Sequence, residues 1–246
     1  METRRTRRMT RADSSVLETS GTFQALRNPP PGSPPKVDAV LVPKTMTNRE
    51  FFGKYAAPGR VGLVGMTSWI DRKIQKVQRH LHPAGRWSLW SHALLFEGLR
   101  LDGENWVMEC DLDISRGFVR LGVQENRIDK YWDDVGCPTA AVLDFHLRED
   151  QVGTVLRAGL DLLATRTRYS IPKIFGTWIA VRKKELGKRF VKEDETSLYC
   201  SAFVRHCYAK IGIDFAPGVI EDNVAPEHLA ASPVPHTMYL LRREAS

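Results

Sequence analysis

Cys200, His92 and the acids Glu109, Asp111 and Asp113 are the side chains in this 246-residue chain whose types could do chemistry together. A cysteine attacks as its thiolate, so it needs a base within reach, usually histidine, and a third group that orients the imidazole. Cys200, Phe203, Val204, Cys207, Tyr208 and Ile211 recur at the spacing of one helix face. With Ser197 as the expected N-cap, Cys200 falls in the first turn of a buried helix. Unpaired N–H groups and the helix dipole favour a thiolate there. Taken alone, a free cysteine is more often a core residue than a nucleophile.

His92 is the best placed of the seven histidines. It lies near the start of an apolar strand over 90–96, where it is either satisfied in the core or lines a site. Asp102-Gly103 signals a hairpin turn, and 105–113 reads as the returning strand. A two-residue turn sets Phe96 opposite Glu109, Leu94 opposite Asp111 and His92 opposite Asp113. All three acids then share the face of His92. Packing alone is a poor reason for three carboxylates beside a histidine in an apolar hairpin.

The elements that must hold these residues follow from pattern and punctuation. Thr47-Asn48-Arg49-Glu50 is a capping box ahead of Phe51 and Phe52. A strand follows over 60–64. A helix starts near Thr67 or Ser68, with Ile70, Ile74, Val77 and Leu81 along one face. Further strands are expected at 139–147 and 236–241, and a helix at 149–165. A central hairpin with helices before and after it indicates an α+β domain.

Composition bounds the rest. The chain is 42% hydrophobic, enough for one good-sized core. Four cysteines, Cys110, Cys137, Cys200 and Cys207, lack both a disulfide framework and CxxC spacing, so they read as reduced thiols. His80 and His82 have no cysteine or carboxylate cluster nearby, so no metal and no cofactor is expected. No apolar run approaches bilayer length. Arginine pairs follow Met1, but no apolar segment succeeds them, so a cleavable signal peptide is not expected. The expected setting is cytoplasmic, or export by another route. Residues 1–37 hold seven basic and three acidic residues, four of the chain's net +7. A solvated tail, 1–36, closing in a proline-rich linker, is expected ahead of one domain, 37–246. The tail suggests at most weak contact with a membrane or an acidic surface, and no specific nucleic acid.

The order Trp90-Ser91-His92-Ala93-Leu94-Leu95-Phe96, then Trp106-Val107-Met108-Glu109-Cys110, then Leu198-Tyr199-Cys200-Ser201-Ala202-Phe203-Val204 resembles a known family. These are the circularly permuted NlpC-type papain-like thiol hydrolases, the YaeF/YiiX group, whose order is His, acid, Cys. Gly62-Leu63-Val64, Arg168-Tyr169-Ser170 and the segment from Asn223 to Ser232 add to the likeness, which covers roughly residues 60–241. It implies a papain-like fold with a central antiparallel sheet and flanking helices. It makes Cys200 the nucleophile, His92 the base and Glu109 the orienting acid, where the simple hairpin register favours Asp113 or Asp111. The Cys200 N–H would hold the oxyanion with help from Tyr169, and Ser91 and Tyr199 would join Tyr169 in contacting substrate. Ser170 departs from the family pattern, in which an aspartate often follows the tyrosine. The activity implied is hydrolysis of amides, peptide or peptidoglycan-type, through a thioester. A lipid ester or acyl acceptor is the second reading, and a binding domain without catalysis the third.

Overall fold

The computed structural model describes residues 28–82, 84–115, 118–165, 168–169, 197–198 and 200–243. The protein is α+β. Its strands are β1 (Val37–Leu41), β2 (Val61–Gly65), β3 (His92–Leu99), β4 (Asn105–Ser115), β5 (Phe118–Arg127), β6 (Thr139–Asp144), β7 (Arg168–Tyr169), β8 (Ser197–Leu198) and β9 (His236–Arg242). Seven of them form one sheet in the order β1-β9-β6-β2-β3-β4-β5, and β7 pairs with β8 apart from it. Only the edge pair β1–β9 of the large sheet is parallel.

The described helices are α1 (Asn48–Tyr55), α2 (Trp69–Val77), α3 (Glu149–Ala164), α4 (Cys200–Ala209) and α5 (Pro226–Ala230). The capping box at Thr47 and Glu50 starts α1, with both reciprocal bonds made. Strand alternation divides the core in two. Leu63, Ala93, Leu95, Met108 and Cys110 pack with Phe203, Val204 and Cys207 of α4 and Val155 of α3. Val64, Leu94, Phe96 and Val107 pack on the other side with Phe51 and Phe52 of α1 and with Ile128 and Tyr131.

The expected elements at 60–64, 105–113, 149–165 and 236–241 are present with ends moved by a residue or two. Four strands, β1, β5, β7 and β8, fall where no strand was expected. β5 is long and alternating, and it is the outer partner of β4. Two expectations are corrected, and the facing of α2 is new. The residues of β3 begin at His92 rather than at Trp90. Ser197 is not a cap but part of β8, so the helix starts at Cys200 itself. The apolar stripe of α2 does not face the core: the buried members of that helix segment are Asp71 and Gln78.

Of the expected tail, 1–27 lies outside the described residues. Residues 28–36 are tied to the domain at two points. The Asp214 N–H donates to Asn28 Oδ1, and the Lys36 N–H donates to the Ser232 carbonyl.

Candidate functional site

The β3–β4 hairpin decides which acid meets His92. Its turn is longer than two residues: Arg100 N donates to the Glu104 carbonyl, and Gly103, with φ +78°, closes the loop on Arg100. A bulge at Glu97 then shifts the register again, between Phe96↔Val107 and Gly98↔Trp106. Gly98 sits there at φ +112°, a conformation that disfavours a Cβ. Each irregularity moves the pairing by one residue, so the face is conserved while the acids slide toward His92. Leu95 is opposite Met108, and the same register carried on sets Glu109 opposite Leu94, diagonal to His92. Glu109 hydrogen-bonds the ring, with Nε2 and Oε2 2.8 Å apart. Asp111, which the same register sets opposite His92, contributes charge to the ring. The Asp113 side chain lies outside the described residues.

Glu109 is fully buried, with 0% exposure, and every position of its carboxylate is used. Oε2 accepts from His92 and from the Tyr131 hydroxyl at 2.5 Å. Oε1 accepts from Asn126 Nδ2 at 2.6 Å and from Lys130 Nζ at 2.8 Å. Lys130 also reaches Asp111 Oδ2 at 2.5 Å. Burial opposes the charge on Glu109. The bond to His92 and the charges of His92 and Lys130 outweigh it, holding the carboxyl well below the usual carboxylate range. The Tyr131 hydroxyl is pushed well up by burial and by Glu109, so it stays a phenol that donates. Its ring stacks near His92, with centroids 6.3 Å apart.

Cys200 is the first residue of α4 and is 9% exposed. Its sulfur lies near enough to the His92 ring for its charge to favour the protonated imidazole. Since Nε2 is committed to Glu109, Nδ1 is the ring nitrogen left for the thiol. Burial pulls His92 toward its neutral form. The sulfur of Cys200, the bond to Glu109 and the charge of Asp111 win, and the ring titrates well above its usual range. Burial raises Cys110 far above the thiol range, and raises Cys137 and Cys207 to about 12.

The remaining expected site residues are placed as follows. Ser91 is buried, and its hydroxyl is taken up by β2: it accepts from Met66 N at 3.1 Å and donates to the Val64 carbonyl at 3.3 Å. The backbone of Tyr169 lies in β7 beside Leu198, which brings 168–169 next to the chain that enters α4. Its side chain, and all of Tyr199 and Ser170, lie outside the described residues.

Lys130, Tyr131 and Asn126 are site residues that sequence reasoning missed. They come from the end of β5 and the 3-10 turn Ile128–Tyr131. The available signal was the alternation over 118–127, which makes a third strand beside the acid-bearing one.

His92, Glu109 and Asp111 present ligand-type atoms within 4.8 Å of one another, a set that could bind a metal. The place of a cation between the two carboxylates is taken by the Lys130 ammonium. These contacts make the cluster a charge-compensated network centred on Glu109.

No protein-family model matches the chain, and no curated protein matches it. Among solved structures it is similar to one titled as the crystal structure of metalloprotein yiiX from Escherichia coli O157:H7. The identity is 13% and the TM-score 0.48, over 78% of this chain and 99% of that one. A likeness at that level assigns no residue a role.

Proposed function

We propose that the protein is a thiol hydrolase in which Cys200 is the nucleophile, His92 the base and Glu109 the orienting acid. The observation that carries the reading is the buried His92–Glu109 pair, 2.8 Å apart, with Cys200 near it at the first position of α4. In the first step the thiol proton passes to His92 Nδ1 and the sulfur attacks the acyl carbon. The carbonyl electrons collapse back, the C–N bond breaks, and His92 returns the proton to the departing amine. Water, deprotonated by His92, then attacks the thioester. The carboxylic acid leaves and the Cys200 thiol is restored. The N–H groups at the start of α4 are the donors available to the oxyanion. Ser91 best fits the holding of the chain that leads into His92. Contact of Tyr169 and Tyr199 with substrate remains part of the proposal.

The sequence's resemblance to permuted papain-like hydrolases suggests amide substrates. Ester hydrolysis or acyl transfer on a lipid is the second reading, favoured by the outward apolar face of α2. A panel of peptide amides and acyl lipids, scored for released amine and released fatty acid, tests both. Turnover that vanishes in Cys200→Ala and in His92→Ala is the expected result. Full turnover in His92→Ala would overturn the mechanism.

A further inference from the structure

The helix α2 is built inside out. Ordinarily the apolar stripe of a surface helix packs on the core and its polar side meets water. Here the side chains turned inward are Asp71, Gln75 and Gln78. Gln75 Nε2 donates to the Met66 and Leu89 carbonyls, both at 3.3 Å. Gln78 is 1% exposed; its Nε2 donates to the Trp90 carbonyl at 2.8 Å, and its Oε1 accepts from Glu227 N at 2.9 Å. Asp71 pairs with the N-cap Ser68. Polar side chains thus anchor the helix to backbone groups, and its apolar residues are left over.

Those residues form one surface. Trp69 is 67% exposed and Ile70 46% exposed, while Ile74, Val77 and Leu81 are half-buried and belong to neither core. At about 100° per residue, Trp69, Val77, Ile70 and Ile74 fall within an arc of about 140°. Trp87, 48% exposed, lies close by, since the Lys76 ammonium stands 5.3 Å over its ring. Lys73 stands 4.4 Å over Trp69. Arg72, Arg79 and Arg86 are exposed in the same segment, and its acid, Asp71, is buried. Exposed tryptophans paired with lysines, around an aliphatic stripe and under a local excess of positive charge, suit the boundary between lipid headgroups and acyl chains. An acidic protein surface would attract the charges but would leave the apolar arc without a matching phase.

We infer that α2 and the following turn, with Trp69, Ile70, Lys73, Lys76 and Trp87 in contact, form a docking face for an anionic lipid bilayer. This inference stands independently of the Cys200 reading.

The test is sedimentation of the full chain with vesicles. One set is phosphatidylcholine, and the other is about two parts phosphatidylcholine to one of phosphatidylglycerol. Binding to the anionic set is expected to exceed binding to the neutral set. It should fall by roughly tenfold or more in Lys73→Ala/Lys76→Ala, and comparably in Trp69→Ser/Ile70→Ser. The unaltered basic N-terminus of both variants serves as the internal control. Thermal melts establish that they are folded. Equal binding to both vesicle sets, no binding to either, or full binding by folded variants would each overturn the inference, the last by handing the contact to the tail. Capture by polyglutamate with no capture by vesicles would overturn it in favour of an acidic protein partner.

Discussion

Two regions of this protein bury polar side chains, with opposite results. Around Glu109 the buried groups converge on each other: four donors from β3, β5 and the turn after β5 fill one carboxylate. Along α2 the buried groups diverge, each glutamine reaching out to backbone of a neighbouring segment. Desolvating a polar group costs free energy unless it is paired, so both arrangements are complete in that respect. The difference lies in what each leaves available. Convergence fixes the state of one reactive ring. Divergence fixes the posture of a helix and frees its apolar face for another phase.

The largest expected effect separates the site's orienting acid from its neighbours. Glu109→Gln keeps the shape of the side chain and removes the charge that aligns His92 and favours its protonated form. It should lower kcat by about 10²–10⁴, with Asp111→Asn doing less. Equal losses in the two variants would make the acids interchangeable and break the convergent picture. The same substitution should shift the His92 imidazole titration downward, read by NMR.

The pair also predicts a pH dependence of stability. Glu109 titrates below the ordinary value of 4.5, so its contribution is present above that pH and is lost as pH falls through its folded value. His92 titrates above 6.5, so its contribution is present below that pH and is lost as pH rises through its folded value. The stabilising advantage of wild type over Glu109→Gln should therefore be greatest between about pH 4.5 and 6.5, measured by thermal melts.

Smaller effects sharpen the comparison from the stability side. Tyr131→Phe removes one donor from a buried carboxylate and should cost roughly 1.5–3 kcal/mol. Gln78→Leu strips the bonds that seat α2, and leaves the Glu227 N–H without its acceptor. It should cost roughly 1–3 kcal/mol. Trp69→Ser, by contrast, should change stability by less than about 0.5 kcal/mol although it removes a large apolar side chain. Denaturant melts that reverse this order, with Trp69 costly and Gln78 neutral, would mean that α2 packs in the ordinary sense.

Much of this was legible in the sequence, and the gaps have physical causes. The α+β class, the central hairpin, the shared face of His92 and its acids, and the helix bearing Cys200 all follow from local periodicity. The choice among the acids does not, because it depends on two one-residue shifts in the hairpin. Gly98 inside a strand pattern was the one local hint of the bulge. Lys130 and Tyr131 act on Glu109 from about 20 residues away, and only strand pairing brings them in. The orientation of α2 was not legible for a related reason. Periodicity reveals that an apolar arc exists, and not which way it faces; that was decided by glutamine bonds to Leu89, Trp90 and Glu227.

The most direct test of the central claim is the alkylation rate of each cysteine in the folded protein. It is measured at neutral pH with iodoacetamide and mapped by peptide mass spectrometry. Cys200 should react well ahead of Cys110, Cys137 and Cys207, whose burial holds them as thiols, and its lead should collapse in His92→Ala. Four equal rates, or a Cys200 rate indifferent to the loss of His92, would contradict the account.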